Sequence, residues 1–134
     1  MVKQDKALCE KPLIWLGDSK EVTIEFPEKV RKAVGFALSF AQLGEKHPDA
    51  KPFRGITTGA AVLEVVEDFD GDTYRAVYTV KFEGIVYVLH SFQKKSKTGI
   101  KTPPKEVELI KKRFKAAEED FKNRQKNKKE VARN

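Results

Sequence analysis

The 134 residues suit one domain of ordinary size. Hydrophobic residues make up 40% and charged residues 35%, which supplies one modest core and argues against wholesale disorder. No apolar run approaches the ~18 residues of a membrane span, the N-terminal MVKQDKALCEKP lacks a secretory apolar segment, and the single Cys9 excludes an internal disulfide or a multi-cysteine zinc site. The expectation is a cytoplasmic protein with no membrane partner.

The net charge of +7 is unevenly spread. Residues 1–93 carry 12 Lys/Arg against 14 Asp/Glu, and residues 94–134 carry 15 against 6. A basic third on a near-neutral body points to a polyanion or an acidic partner, or else to a solvated lysine-rich helix and tail.

Residues 1–11 read as a flexible leader. Leu13-Ile14-Trp15-Leu16, closed by Gly17-Asp18-Ser19, reads as an opening strand. Val22, Ile24 and Phe26 alternate with polar residues, so this piece also reads as extended. Pro27 then opens a helix to about Leu43, with Val30, Val34, Ala37, Leu38 and Ala41 on one stripe, Phe36 and Phe40 widening it, and Gly44 as its stop. Residues 45–52 read as a polar loop.

Three strands follow: Ala60–Glu67, Thr73–Lys81 and Ile85–Phe92. Asp68–Asp72 has hairpin-turn composition, and the last strand is the most apolar and is expected inside the sheet. After a lysine-rich connector, Thr102-Pro103-Pro104 opens a second helix whose apolar positions are Val107, Ile110, Phe114, Ala117 and Phe121. Residues 122–134 read as a frayed or disordered basic tail. The expected fold class is α+β: a small antiparallel meander packed against an N-terminal-half helix and a C-terminal helix, forming one domain over residues 12–121.

Signatures of common enzymes are absent: there is no GxGxxG, P-loop, GxSxG or HExxH. The two histidines, His47 and His90, lack a carboxylate cluster, so neither a metal nor another cofactor is expected. The densest feature is His90-Ser91-Phe92-Gln93-Lys94-Lys95-Ser96-Lys97, where an apolar strand turns basic. Such a strand end can hold phosphates, with Phe92 either stacking on a base or entering the core. Arg75 is a lone charge in mid-strand. It either pairs with Glu64 across the hairpin or lies on a binding face. Lys51, Arg54, Lys97 and Lys101 are further candidates for one positive surface.

Taken in order, these pieces resemble the RelE/ParE toxin superfamily, in its phage-derived HigB-like branch. The resemblance runs from about Lys11 to Ala117. It rests on Pro12-Leu13-Ile14-Trp15-Leu16-Gly17, Phe26-Pro27-Glu28-Lys29-Val30-Arg31, Gln42-Leu43-Gly44, Lys51-Pro52-Phe53-Arg54-Gly55 and Val62-Leu63-Glu64-Val65. It continues through Asp70-Gly71-Asp72-Thr73-Tyr74-Arg75-Ala76-Val77-Tyr78 and Tyr87-Val88-Leu89-His90-Ser91-Phe92-Gln93-Lys94-Lys95-Ser96.

The resemblance implies the toxin of a type II toxin–antitoxin system: a metal-free endoribonuclease acting on mRNA at the ribosome, with a helix-turn-helix antitoxin as partner. The family's positive strand residue corresponds to Arg75, and its basic loop to Lys94, Lys95 and Lys97. Many members carry Glu-Leu-Arg where this chain has Glu64-Val65-Val66, so one phosphate-binding charge is missing. The expected chemistry is attack by the RNA's own 2′-hydroxyl, leaving a 2′,3′-cyclic phosphate. Arg75 stabilises the transition state, Lys94 and Lys95 hold phosphates or protonate the leaving oxygen, and His90 or Glu64 serves as base. Two other readings stand beside it: a gyrase-directed ParE-like toxin, and a catalytically degenerate module that binds RNA or antitoxin.

Overall fold

A computed structural model describes residues 10–57, 59–94 and 102–133. The element order is β1 (Leu13–Trp15), α1 (Ser19–Ile24), α2 (Glu28–Gln42), β2 (Lys51–Pro52), β3 (Val62–Phe69), β4 (Asp72–Thr79), β5 (Val86–Lys94) and α3 (Pro104–Arg133). The five strands form one sheet in the order β1-β5-β4-β3-β2. The fold is α+β, with the expected meander at its centre.

Hairpin β3–β4 turns through Asp70 and Gly71, at φ values of 50° and 86°. Two consecutive positive values suit the right-handed twist of the flanking strands, and Asp-Gly reaches them at low steric cost. β5 has apolar residues on both faces. Val86 and Val88 pack with α2, while Tyr87 and Leu89 pack with α3. The sheet is thus sandwiched between helical layers, which is why β5 is buried from Val86 to Phe92.

α2 follows its apolar stripe: Val30, Val34, Ala37, Leu38 and Ala41 are buried, and Gly44 takes φ +80° at its end. Phe40 is half-buried and meets His47 edge to face at 4.9 Å, but Phe36 lies outside the stripe, 60% exposed. α3 buries Ile110, Phe114 and Ala117 against the opposite sheet face, with Val107 and Phe121 packed at the margins.

Three expectations are corrected. The stretch around Val22 and Ile24 is helical rather than extended. Its buried residues are Ser19 and Thr23, one helical turn apart, with Val22 packed at the edge of the core. The Thr23 hydroxyl donates to the Ser19 carbonyl at 2.8 Å and hydrogen-bonds the Ser91 hydroxyl of β5 at 2.7 Å, while Ile24 faces solvent. Apolar alternation misleads here because the most buried positions are small and polar, and of the alternating residues in the helix only Val22 reaches the core. Second, β1 joins β5 in parallel, Leu13 opposite Val86, so the sheet is mixed. Third, residues 122–133 continue α3 as helix, giving 30 residues and a length of ~45 Å. In addition, Lys51 and Pro52 form a short strand at the end of the expected loop, antiparallel to β3.

The Tyr78 hydroxyl is buried and makes no hydrogen bond among the described residues, and burial pushes its ionisation up to about 12. Tyr78→Phe removes an unsatisfied polar atom, so thermal or urea unfolding is expected to show a gain of about 1 kcal/mol rather than a loss.

Candidate functional site

The strand register aligns the candidate residues in rows across the α3-facing side of the sheet. Lys51 lies opposite Glu64, Glu64 opposite Val77, and Val77 opposite His90. The next row is Val66, Arg75 and Phe92, and the one after it Asp68, Thr73 and Lys94. An irregularity between Val77 and Tyr78 shifts the β5 register, so Leu89 and His90 both serve the α3 face.

Arg75 and Glu64 form a buried ion pair. Arg75 Nη1 donates to Glu64 Oε1 at 3.0 Å, and the two residues are 7% and 8% exposed. The pair separates two hollows. One, of about 800 Å³, is lined by Lys51, Arg54, Val66 and Lys94 and also by Asp68, Asp70 and Asp72. Asp68 accepts from Thr73 at 2.9 Å, and Asp72 accepts from Gln93 at 2.8 Å. The second, of about 370 Å³, is lined by Phe53, Arg54, Gly55, Thr102 and Val107. A Cβ at Gly55 would stand 2.8 Å from the Phe53 ring, so any larger residue there would have to displace that ring.

His90 is 5% exposed, and both ring nitrogens are engaged. Arg113 Nη1 donates to Nδ1 at 3.0 Å, which places the ring proton on Nε2, and Nε2 donates to Glu106 at 2.8 Å. Arg113 Nη1 also donates to the Leu89 carbonyl at 3.0 Å, and Nη2 to Asp18 at 2.9 Å. A single guanidinium thereby ties the β1–α1 turn to β5 and α3. Gly17, at φ +55°, lets the chain pass this group, because a Cβ there would sit 2.5 Å from it.

The hydrogen bond from Arg113 is the leading cause that holds the Asp18 carboxyl below its ordinary 3.8. A carboxyl lowered in the folded state adds stability that is complete above the unfolded value and is lost as pH falls through the folded one. Urea midpoints should therefore favour the parent over Asp18→Asn at about pH 5, and the gap should close towards about pH 2.

The structure brings Glu64, Arg75, Lys51, Arg54 and Lys94 to one cleft. It seats Phe92 in the core, its ring stacked on His90 at 5.0 Å, rather than open to a base. Lys95, Lys97 and Lys101 lie outside the described residues. Among the described residues, no three His, Cys, Asp or Glu side chains gather as metal ligands would, and no helix is long and apolar enough to cross a membrane. Glu106 and Arg113 were not among the candidates. Their signal is a seven-residue spacing, which puts both on one flank of α3.

Residues 23–115 match the family model described as Phage derived protein Gp49-like (DUF891). The chain belongs to this family. The match covers well over half of the chain and takes in β2 through β5 and every described candidate residue. The Gp49-like family falls within the RelE/ParE-like toxin superfamily and is a family of toxin–antitoxin toxins, which implies an antitoxin partner. No curated protein and no solved structure matches the chain significantly.

Proposed function

We propose that this Gp49-like protein is the toxin of a type II system of the HigB-like branch, acting in the cytoplasm as a metal-independent endoribonuclease on ribosome-bound mRNA. The observation that carries the reading is the Arg75–Glu64 pair, set between two hollows and bordered by Lys51, Arg54 and Lys94. A guanidinium can donate to two phosphate oxygens at once, and beside it stands a carboxylate able to take a proton.

In this mechanism the 2′-oxygen attacks the adjacent phosphorus as its proton passes to Glu64. The new O–P bond forms, the bond to the 5′-oxygen breaks, and that oxygen takes a proton from Lys94 or Lys95. Arg75 holds the charge that builds on the phosphoryl oxygens. Lys51, Arg54, Lys97 and Lys101 hold the flanking phosphates. His90, fixed by Arg113 and Glu106, positions the strand that carries Phe92 and Lys94. The RNA supplies its own nucleophile, so the route uses no metal-activated water.

Val66 favours a second reading. It lies directly opposite Arg75, where the resemblance to the toxin superfamily implies an arginine, and a site short of that charge suits a module that binds RNA or antitoxin without cutting.

The test is expression of the chain alone in a bacterium, following growth and the 5′ ends of cellular mRNA. Growth arrest with new in-frame cleavage ends, lost in a folded Arg75→Lys variant, is the expected result. Arrest with intact mRNA overturns the nuclease in favour of a gyrase-type target. Unchanged growth with folded protein makes the binding module the better account.

A further inference from the structure

The two flanks of α3 are built differently. On one, the charges are engaged by the fold: Glu106 holds His90, Arg113 holds Asp18, and Asp120 accepts from Tyr87 at 2.7 Å and from Arg124 at 2.6 Å. On the other, Lys111, Lys115, Lys122, Lys126 and Lys129 are all exposed. At 100° per residue these five fall within a ~60° arc, and at 1.5 Å per residue they span ~27 Å. Lys111 lies 3.8 Å from Glu108, while Lys115, Lys122, Lys126 and Lys129 sit in no ion pair among the described residues. Residues 104–120 hold five Lys/Arg and five Asp/Glu, whereas residues 121–133 hold six Lys/Arg and one Glu. The excess charge of the helix therefore lies in its last three turns, beyond the family match that ends at residue 115.

We infer that this row of lysines is a second nucleic-acid surface, separate from the cleft, that docks along the phosphate backbone of an RNA duplex. The same face carries Glu108 and Glu118, the latter 3.9 Å from Lys81, but its last turns keep the excess of cations, and a straight rigid line of them complements a regular line of phosphates. Single-stranded sites add aromatic stacking platforms, and this row has none, since Phe121 packs inward on Phe82 at 5.2 Å. A membrane surface would need a free apolar face, and that face of α3 is buried on the sheet.

The test uses the full chain and a fluorescent RNA duplex with 2′-O-methyl sugars, which no 2′-hydroxyl attack can cut. Its outcome is thus independent of whether the cleft is a nuclease. Binding is followed by anisotropy across a salt series. The parent should bind, and K122Q/K126Q/K129Q should bind at least tenfold more weakly near 0.1 M salt, its salt slope shallower by about 2.7. K122R/K126R/K129R, which keeps the charges, should restore both, and circular dichroism should be the same for all three. An unchanged slope, or a parent that does not bind the duplex, overturns the inference. Loss confined to single-stranded RNA, or to a polyglutamate probe with duplex binding intact, overturns it in favour of those partners.

Discussion

Arg75→Ala is expected to cost the fold roughly 3–5 kcal/mol, because it strands the Glu64 carboxylate in a buried site without its cation. Glu64 is 8% exposed, and its bond from Arg75 Nη1 is 3.0 Å long. The double change Arg75→Met/Glu64→Leu removes both charges at similar volume and should recover most of the loss. Urea unfolding of the four members of this cycle checks it, with a coupling near zero refuting the pair. The result bears directly on function. A non-toxic alanine variant would report unfolding as readily as lost chemistry. Arg75→Lys keeps a positive charge for Glu64 and loses the planar fork, so it separates the two. Toxicity lost with stability retained assigns the fork to the reaction.

The second large effect is expected at Arg113. Arg113→Ala deletes donors to Leu89, His90 and Asp18 together. Charged hydrogen bonds contribute ~1.5–3 kcal/mol and a buried orphaned acceptor costs ~1–3, so a loss on the order of 3–5 kcal/mol is expected. Arg113→Lys reaches one partner at a time and should recover only part of it. Hydrogen exchange gives the finer readout: the amides of β5 around His90 and of the turn at Gly17-Asp18 should lose protection together. Loss at one site alone would show that the guanidinium does not join them.

The sequence carried the central architecture because the pattern was strong where packing is strong. The stripes of α2 and α3 and the turn at Asp70-Gly71 each state one local preference, and the sheet agrees with it. α1 was hidden because its two buried residues, Ser19 and Thr23, are polar, and only Val22 adds an apolar contact. The parallel docking of β1 was hidden because Leu13-Ile14-Trp15 names no partner. In the site, Arg75 and Glu64 were legible as a lone charge and its neighbour across a hairpin. Glu106 and Arg113 were not, because a charged residue on the flank of an amphipathic helix looks like any solvated one until the opposite strand is in place.

The pairing of β1 with β5 has a consequence for the site. Leu13 and Val86 are partners separated by most of the domain, whereas β3, β4 and β5 close through short turns. Loop-closure entropy makes the distant pairing the costlier one to form. Asp18 follows β1 by three residues, so its bond to Arg113 shares the position that this pairing sets. The outer anchor of the guanidinium that holds His90 thus hangs on a strand joined to the sheet only by a long-range pairing, so loosening that strand would reach the site without touching it.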